Sequence, residues 1–333
     1  RVPALEDRRF HPQRYWSAVE PYLGEAVSSR VAGESAEGRP IHHLTFGDGP
    51  VSVLLWSQMH GNESTASMAL ADMIRFFHAS PHPSLARRIA EGATIHMIPM
   101  LNPDGAERFQ RRNAQGIDVN RDARRLQTPE GRLLKAVNDE VQPDFGFNLH
   151  DQSAAVRVSG TDLGVAIALL APAFNEARDV DDKRRRAMQV ATLLMEAVEP
   201  LVGQHIAKYD DTFNPRAFGD LMGAWGASTV LIDSGAWADD PQKQHLRKTN
   251  FVGILTALDA IATGRYAEYD PNVYESLAYN GRRLPDLLIR GGTIAIPGIP
   301  ALRADLIVEY SMPLLKEGGI VSDIGDMGTS EAQ

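Results

Sequence analysis

The sequence predicts an α/β fold: a mixed, mostly parallel central sheet with helices on both faces, plus a small β-rich C-terminal appendage. Apolar runs of strand length alternate with segments of helical periodicity between residues 51 and 261. Polar residues follow several of these runs, and sites in such sheets collect at strand ends. After Gly264 the sequence changes to tyrosines, glycine turns and short β-type runs. We expect a main domain over 1–265 and an appendage over 266–333, with a disordered tail from 325.

The elements follow from the pattern of apolar residues. A lead-in segment over 1–36 contains a helix that starts at His11. The alternating residues 41–46 predict an edge strand. Buried strands are predicted over 51–56, 93–100, 145–149, 165–170 and 229–232. Helices are predicted over 65–77, 133–141, 179–204 and 244–261.

Composition narrows the class of protein. A hydrophobic content of 43% and a charged content of 23% are ordinary for a soluble globular chain of 333 residues. The net charge of −9 argues against nucleic acid as a partner. We expect no transmembrane segment, because no apolar run is long enough. The compartment is open: cytoplasmic, or periplasmic or secreted if a leader was removed before residue 1. The oligomeric state is open as well.

The absence of cysteine restricts the chemistry of any metal site. With no cysteine, thiolate ligands, disulfides and cysteine nucleophiles are excluded, and a metal must be bound by histidine and carboxylate.

A metal site is indicated by His60 and Glu63, which lie between a predicted strand and a predicted helix. On its own, this pair could equally be a strand-end histidine and a first-turn acid stabilised by the helix dipole. His150, at the end of another predicted strand, favours a metal site. Two histidines and a glutamate make up the three protein ligands of a catalytic zinc ion, so we predict one Zn²⁺ per chain. For seven other histidines a structural role is the better interpretation: His42, His43, His78, His82, His96, His205 and His245.

Two further motifs lie between these residues. The first is Asn102-Pro103-Asp104-Gly105, and the second is the arginine-rich block that runs over 111–122 (RRNAQGIDVNRD). With His60, Glu63 and His150, they occur in the order that resembles the zinc carboxypeptidases related to pancreatic carboxypeptidase, the funnelin metallopeptidases, in a bacterial carboxypeptidase-like member. The resemblance covers roughly residues 40–265 and implies a zinc-carboxypeptidase-like catalytic domain.

The resemblance also implies roles for polar residues of the second motif. Asn120 and Arg121 match the pair that holds the free carboxylate of the substrate, and the planar, permanently charged fork of arginine suits that task. Arg111, with Arg112 as the alternative, matches the arginine that polarises the scissile carbonyl. A solvated basic face remains the other interpretation for most arginines of this block. Asp118, and similarly Asp122 and Asp151, are expected to orient neighbouring side chains.

The general base is the main departure from the family pattern. The family places a glutamate at the end of a late strand, and Asp233 stands there in this chain. Its carboxylate is shorter by one carbon–carbon bond, about 1.5 Å. We favour Asp233 as the base. The alternatives are Asp220 or Asp239 as the base, or a relative without activity.

A loop over 209–220 is expected to set specificity. The family places a substrate-capping tyrosine here, but Tyr209, Phe213 and Phe218 give no clean match. Arg216, with Asp220, is a candidate to contact a charged substrate.

The predicted function is zinc-dependent hydrolysis of an amide bond next to a free carboxylate. We favour a metallocarboxypeptidase that removes a C-terminal residue from a peptide. The alternatives are an N-acyl amino acid deacylase of the desuccinylase/aspartoacylase type, or a zinc-binding relative without catalysis.

Overall fold

A computed structural model describes residues 1–79, 82–283, 285–312 and 317–328. Its strands are β1 (Val27–Glu34), β2 (Pro40–Phe46), β3 (Val51–Ser57), β4 (Ala93–Ile98), β5 (Phe145–Asp151), β6 (Val156–Val158), β7 (Ile167–Leu170), β8 (Ile206–Lys208), β9 (Ser228–Ser234), β10 (Asn280–Arg283), β11 (Leu287–Ile296), β12 (Ile299–Met312) and β13 (Glu317–Gly325).

The helices alternate with these strands along the main domain. They are α1 (Pro12–Val19), α2 (Thr65–His78), α3 (Pro83–Gly92), α4 (Pro103–Arg108), α5 (Pro129–Val141), α6 (Asp182–Val202), α7 (Phe218–Trp225), α8 (Gln244–Thr263) and α9 (Pro271–Glu275). Short 3₁₀ turns lie at Glu20–Tyr22, Val119–Arg121 and Arg265–Glu268.

One eight-stranded sheet forms the centre, in the order β1-β2-β4-β3-β5-β9-β7-β8. The run β4-β3-β5-β9 is parallel, β7 and β8 are parallel to each other, and the remaining pairs are antiparallel. Together with the extra C-terminal antiparallel strands, this confirms the predicted fold class.

Successive side chains along each strand point to opposite faces of the sheet and pack against two layers of helices. Val53 and Leu55 of β3 pack in the core under α2, α6 and α8, whereas Leu54 and Trp56 face α5 and α7. The predicted helices on both faces are therefore confirmed. His150 alternates with residues of the first layer, so it points to the same side of the sheet as α5 and α7.

The N-terminal segment is anchored to the main domain by a buried ion pair. Arg247 of α8 binds Asp72 of α2 through two hydrogen bonds, Nε to Oδ2 at 2.8 Å and an η nitrogen to Oδ1 at 2.6 Å. The same guanidinium donates to the carbonyls of Val2 and Leu5. Residues 1–5 are thereby held against two helices.

The predicted edge strand over 41–46 is not at the edge. It is β2, and β1 pairs with it in antiparallel fashion outside it, with Val27 opposite Phe46. β1 was missed because nearly all of its side chains are exposed or half-buried, so it lacks an apolar run. Further elements were also absent from the prediction, among them α3, α4, β6, β8 and α7.

Residues 265–283 pack against the main domain. The Tyr274 side chain is buried, and its hydroxyl accepts a hydrogen bond from the Ala171 backbone at 3.0 Å. Strand β10 pairs with β6 of the main domain. A separate three-stranded antiparallel sheet, β11-β12-β13, follows. The division at residue 265 stays a prediction, and the end of the predicted tail, 329–333, lies outside the described residues.

The three-stranded sheet carries several exposed apolar side chains, Leu287, Ile289, Ile296, Ile299, Leu302, Ile320, Val321 and Ile324.

Across the described parts of the chain, no helix combines the length and apolarity that crossing a membrane requires.

Candidate metal centre

His60 and Glu63 lie in a tight turn between β3 and α2. The Glu63 backbone N–H donates to the His60 carbonyl at 3.1 Å, and the Gln58 side chain donates to the Gly61 carbonyl at 2.9 Å. Asn102 ties this turn to the next one, since its side-chain amide donates to the Met59 carbonyl at 3.2 Å. The two turns therefore form one unit at the end of β3 and β4.

Two glycines set the contact between these turns. A Cβ on Gly61 would lie 1.9 Å from the backbone carbon of Gly105 and 2.2 Å from the Ala106 nitrogen. Gly105 is fixed in turn, because its N–H donates to the Asn102 side chain at 2.8 Å. No side chain fits between the two backbones at this point.

His60, Glu63 and His150 come together as predicted. One potential ligand atom from each lies within 4.8 Å of the others, and all three side chains are buried. Nδ1 of His60 is 2.8 Å from Oε1 of Glu63, and Nδ1 of His150 is 2.7 Å from Oε2. Among the described residues, this is the group of three that could hold a metal ion.

The charges of this triad are balanced by its own members and by Asp118. Burial alone would raise the pKa of Glu63, but His60 and His150 hold it below its usual range. Burial also disfavours the charged form of His150 and lowers its pKa, whereas Glu63 opposes this shift. For His60, burial is outweighed by Glu63 and Asp118, so its pKa is raised.

The donor set fits zinc. Two imidazoles and one carboxylate are the protein ligands of many catalytic zinc sites, and a neutral imidazole is the ligating form. Zinc-binding histidines commonly bond a carboxylate through the second ring nitrogen. His60 does this here, because its Nε2 lies 2.9 Å from Oδ1 of Asp118.

Asp118 connects the triad to Arg111. Arg111 donates to Oδ2 of Asp118 at 3.1 Å through Nε and contacts Oε1 of Glu63 at 3.1 Å. Burial would raise the pKa of Asp118, but His60 and Arg111 keep it low. Asp118 thus orients its neighbours, whereas the Asp122 side chain accepts hydrogen bonds from Gln127 and Thr128 and braces the start of α5.

Asn120 and Arg121 line the same cavity as the triad. Oδ1 of Asn120 accepts a hydrogen bond from the Phe218 backbone at 2.9 Å, and its side-chain nitrogen is 3.5 Å from Nε2 of His150. Arg121 donates to the Asn120 carbonyl at 2.7 Å. The first turn of α7 therefore fixes the Asn120 amide beside the triad.

Arg112 and Arg216 are not among the residues that line this cavity. Arg112 donates to the Gly116 carbonyl at 3.0 Å, and Arg216 is exposed. The structure brings neither of them to the triad, so their predicted contact with substrate has no support from these contacts.

Asp233 is the direct neighbour of His150 across the parallel pair β5–β9. It is buried and lines the cavity, and its Oδ1 has no hydrogen-bond partner. Burial and the nearby Glu63 raise the pKa of Asp233 well above its usual value, and a hydrogen bond with the Tyr209 hydroxyl opposes this shift. Of the alternative bases, Asp220 also lines the cavity, whereas Asp239 is exposed and does not.

The cavity has a volume of about 510 Å³ and continues past the triad. Asn148 and Leu231 are opposite each other on β5 and β9, one residue pair deeper than His150 and Asp233 on the same face. Tyr209 and Asp220 come from the predicted specificity loop. The part of that loop from Phe218 onward is the first turn of α7.

Several residues in or next to the site were not predicted from the sequence. Asn148 could have been found, because it lies two residues before His150 and strand alternation puts both on one face. Lys243 gave no signal: it is buried, yet it precedes a helix in a polar stretch. Asp151 was expected to orient His150, but its side chain instead accepts from Thr65 at 2.8 Å and pairs with Lys243 at 3.1 Å.

Sequence and fold comparisons both find similarity to zinc carboxypeptidases. Residues 13–148 match the family model described as zinc carboxypeptidase. An uncharacterised protein of Zymomonas mobilis is 28% identical over 151 residues, which are 44% of this chain and 40% of that protein. Carboxypeptidase 2 of Trichophyton rubrum is 26% identical over 131 residues, which are 36% of this chain and 24% of that protein. The chain therefore spans less than half the length of these relatives.

Solved structures extend the likeness of the fold. A metallo-carboxypeptidase from Burkholderia cenocepacia has a TM-score of 0.58 and 19% identity, covering 77% of this chain and 71% of that one. A metallo-carboxypeptidase from Pseudomonas aeruginosa, in complex with (2-guanidinoethylmercapto)succinic acid, has a TM-score of 0.62 and 18% identity, covering 78% and 71%. The predicted resemblance to the zinc carboxypeptidases is confirmed, and zinc is the metal that this family and the triad indicate.

Proposed function

We propose that this protein is a zinc-dependent metallocarboxypeptidase, which hydrolyses the amide bond before a free C-terminal carboxylate. One observation carries the proposal. A single cavity is lined by the triad, by Asp233 and by the pair Asn120 and Arg121. These groups correspond to the metal ligands, the base and the carboxylate anchor that such a hydrolysis needs.

Arg121 and Asn120 would bind the terminal carboxylate of the peptide. A guanidinium offers paired, charge-assisted hydrogen bonds to a carboxylate, and a side-chain amide adds a neutral donor. The Asn120 amide is already oriented by the Phe218 backbone N–H. A preoriented donor loses little conformational entropy when the substrate binds.

Asp233 would move the proton. Zinc, when bound by the triad, supplies an acidified water and an electrophile for the carbonyl oxygen. Oδ1 of Asp233, which has no partner, accepts the proton of the attacking water and then returns it to the leaving amine. A raised pKa suits both steps, because the carboxyl then holds the proton more readily between accepting it and returning it.

Arg111 would stabilise the oxygen of the scissile carbonyl. It lies beside Glu63 and Asp118 and is 44% exposed, so part of the guanidinium remains accessible to a substrate. A fixed cation next to a developing oxyanion lowers the barrier to attack. Arg112, the alternative, is directed to the Gly116 carbonyl, which favours Arg111 for this role.

The test compares three substrate sets with the zinc-loaded protein. N-blocked dipeptides with a free C-terminus should be hydrolysed, and the same dipeptides capped as C-terminal amides should not be, because the amide cannot pair with Arg121. N-acetyl and N-succinyl amino acids form the third set. Preferred hydrolysis of the third set would assign a deacylase instead, and zinc binding without any hydrolysis would assign a relative without catalysis.

A further inference from the structure

A buried lysine connects the two strand ends that carry the site. Lys243 immediately precedes α8 and is 2% exposed. Its ammonium contacts Oδ2 of Asp151 at 3.1 Å and donates to the Ser234 carbonyl at 3.0 Å. A cation this deeply buried is costly unless it is paired and hydrogen-bonded, as it is here.

The two partners of Lys243 hold equivalent places on adjacent strands. Asp151 follows His150 on β5, Ser234 follows Asp233 on β9, and Asp151 and Ser234 are direct cross-strand partners. Asp151 lines the cavity, but its side-chain carboxylate binds Thr65 at the start of α2 and Lys243 next to α8, on the face opposite to His150. Lys243 therefore bridges β5 and β9 from the opposite face of the sheet, one residue pair beyond His150 and Asp233.

The contact between Lys243 and Asp151 is linked to the proposed metal ligands through the Asp151 backbone. The Asp151 N–H donates to Oε2 of Glu63 at 3.2 Å, and the same carboxylate oxygen binds Nδ1 of His150 at 2.7 Å. The Asp151 side chain is held by Lys243 and by Thr65, the first residue of α2, while Arg8 lies farther away at 3.9 Å. Loss of the ammonium would leave the Asp151 carboxylate buried beside a hydroxyl and a distant guanidinium.

We propose that Lys243 is a positioning residue for the metal centre, which fixes the ends of β5 and β9 and, through the Asp151 peptide, the orientation of Glu63. Groups that orient metal ligands typically contribute about 10- to 100-fold to metal affinity or activity. Lys243 is not among the residues that line the cavity, and its contacts to the ends of the two strands are those with Asp151 and Ser234. Its charge also lowers the pKa of Asp233, so the test measures zinc affinity rather than turnover. The inference concerns the metal site on which the proposed function rests.

The test measures zinc affinity by competition with a chromophoric chelator, without any substrate. Lys243→Met keeps the length of the side chain and removes the charge, and it should weaken zinc binding by about 10- to 100-fold. Lys248→Met is the matched control, because Lys248 is an exposed lysine of α8, five residues further along the chain. It should bind zinc as the wild type does.

A double variant distinguishes the positioning role of Lys243 from its role in neutralising the buried Asp151 carboxylate. Lys243→Met combined with Asp151→Asn removes both charges, so no carboxylate is left buried without a partner. We expect this double variant to fold and still to bind zinc weakly, because the bridge between the strands is gone. Wild-type affinity in either variant overturns the inference, and so does failure of both variants to fold with zinc present, which would assign a purely structural role. Absence of zinc binding by the wild type would refute the metal site itself.

Discussion

His150 and Asp233 face each other across the β5–β9 ladder, at the point where both strands end beside the cavity. Parallel strands are about 4.8 Å apart, so backbone hydrogen bonding sets the spacing between His150 and Asp233, the proposed base. Because the ladder fixes this spacing, the shorter aspartate still reaches the cavity that the triad lines.

The first prediction concerns Asp233→Asn. The amide cannot accept the proton of the water, so kcat should fall by about 10²- to 10⁴-fold. Zinc content and KM should change little, because the triad and Arg121 are unaltered. Steady-state kinetics with parallel metal analysis measure both, and Asp239→Asn is the control for an exposed acid. A kcat within twofold of the wild type would remove Asp233 as the base.

The second prediction concerns His150→Ala. Removal of one of three ligands leaves a histidine and a glutamate, which should be too few to retain zinc through dialysis. Metal analysis of the purified variant should find well under one zinc per chain. His78→Ala, at an exposed histidine on α2, should keep the wild-type content. Equal zinc in both variants would exclude His150 as a ligand.

The third prediction concerns pH and stability at Asp220. Burial raises the pKa of Asp220 from 3.8 to about 6, so the folded protein binds this proton more tightly than the unfolded chain. The stabilising contribution is complete below pH 3.8 and is lost as the pH rises through about 6. Asp220→Asn should therefore raise the free energy of unfolding at pH 7 by on the order of 1–3 kcal/mol.

Urea unfolding at pH 5 and pH 7 measures this effect. The gain in stability of the Asn variant should be larger at pH 7, where the wild-type carboxyl is ionised. The Asn214 backbone N–H, which donates to Asp220 at 2.7 Å, can still bond the amide oxygen of the variant. A variant that is equally destabilised at both pH values would contradict the raised pKa.

The fourth prediction concerns the ion pair of Arg247 and Asp72. Arg247→Met leaves a buried carboxylate without its partner and should lower the free energy of unfolding by about 3–5 kcal/mol. Neither residue lines the cavity, so the zinc affinity of the folded variant should stay at the wild-type value. Denaturant unfolding and chelator competition separate these two effects. A variant that loses zinc affinity but keeps the wild-type stability would contradict this prediction.

Much of the fold could be predicted because its buried strands are short apolar runs bounded by turns. Residues 51–56 and 145–149 were placed correctly as strands for this reason, and the actual strands extend them by one or two residues. β1 escaped prediction because sheet pairing holds it although most of its side chains face solvent. Pairing with a neighbouring strand is a long-range property that a local pattern does not record.

The triad could be predicted because its spacing and residue types are chemically restrictive. The supporting residues could not be, since Lys243 and Asp151 meet only through the packing of α8 on the sheet. Their interaction spans 92 positions of the chain and leaves no local pattern. Arg216 is the opposite case, because the sequence predicted a contact with substrate for it, but it is exposed and does not line the cavity.

The contact between Gly61 and Gly105 has a consequence for how this site can evolve. A side chain at position 61 would collide with the Gly105 backbone, and a side chain at position 105 would collide with the Asn102 amide and the Arg112 carbonyl. Both positions should therefore stay glycine among descendants of this chain that keep the two turns, although neither glycine has a side chain that could bind metal or substrate. A lineage could lose the histidines and the chemistry and still carry this pair of glycines as a trace of its ancestry.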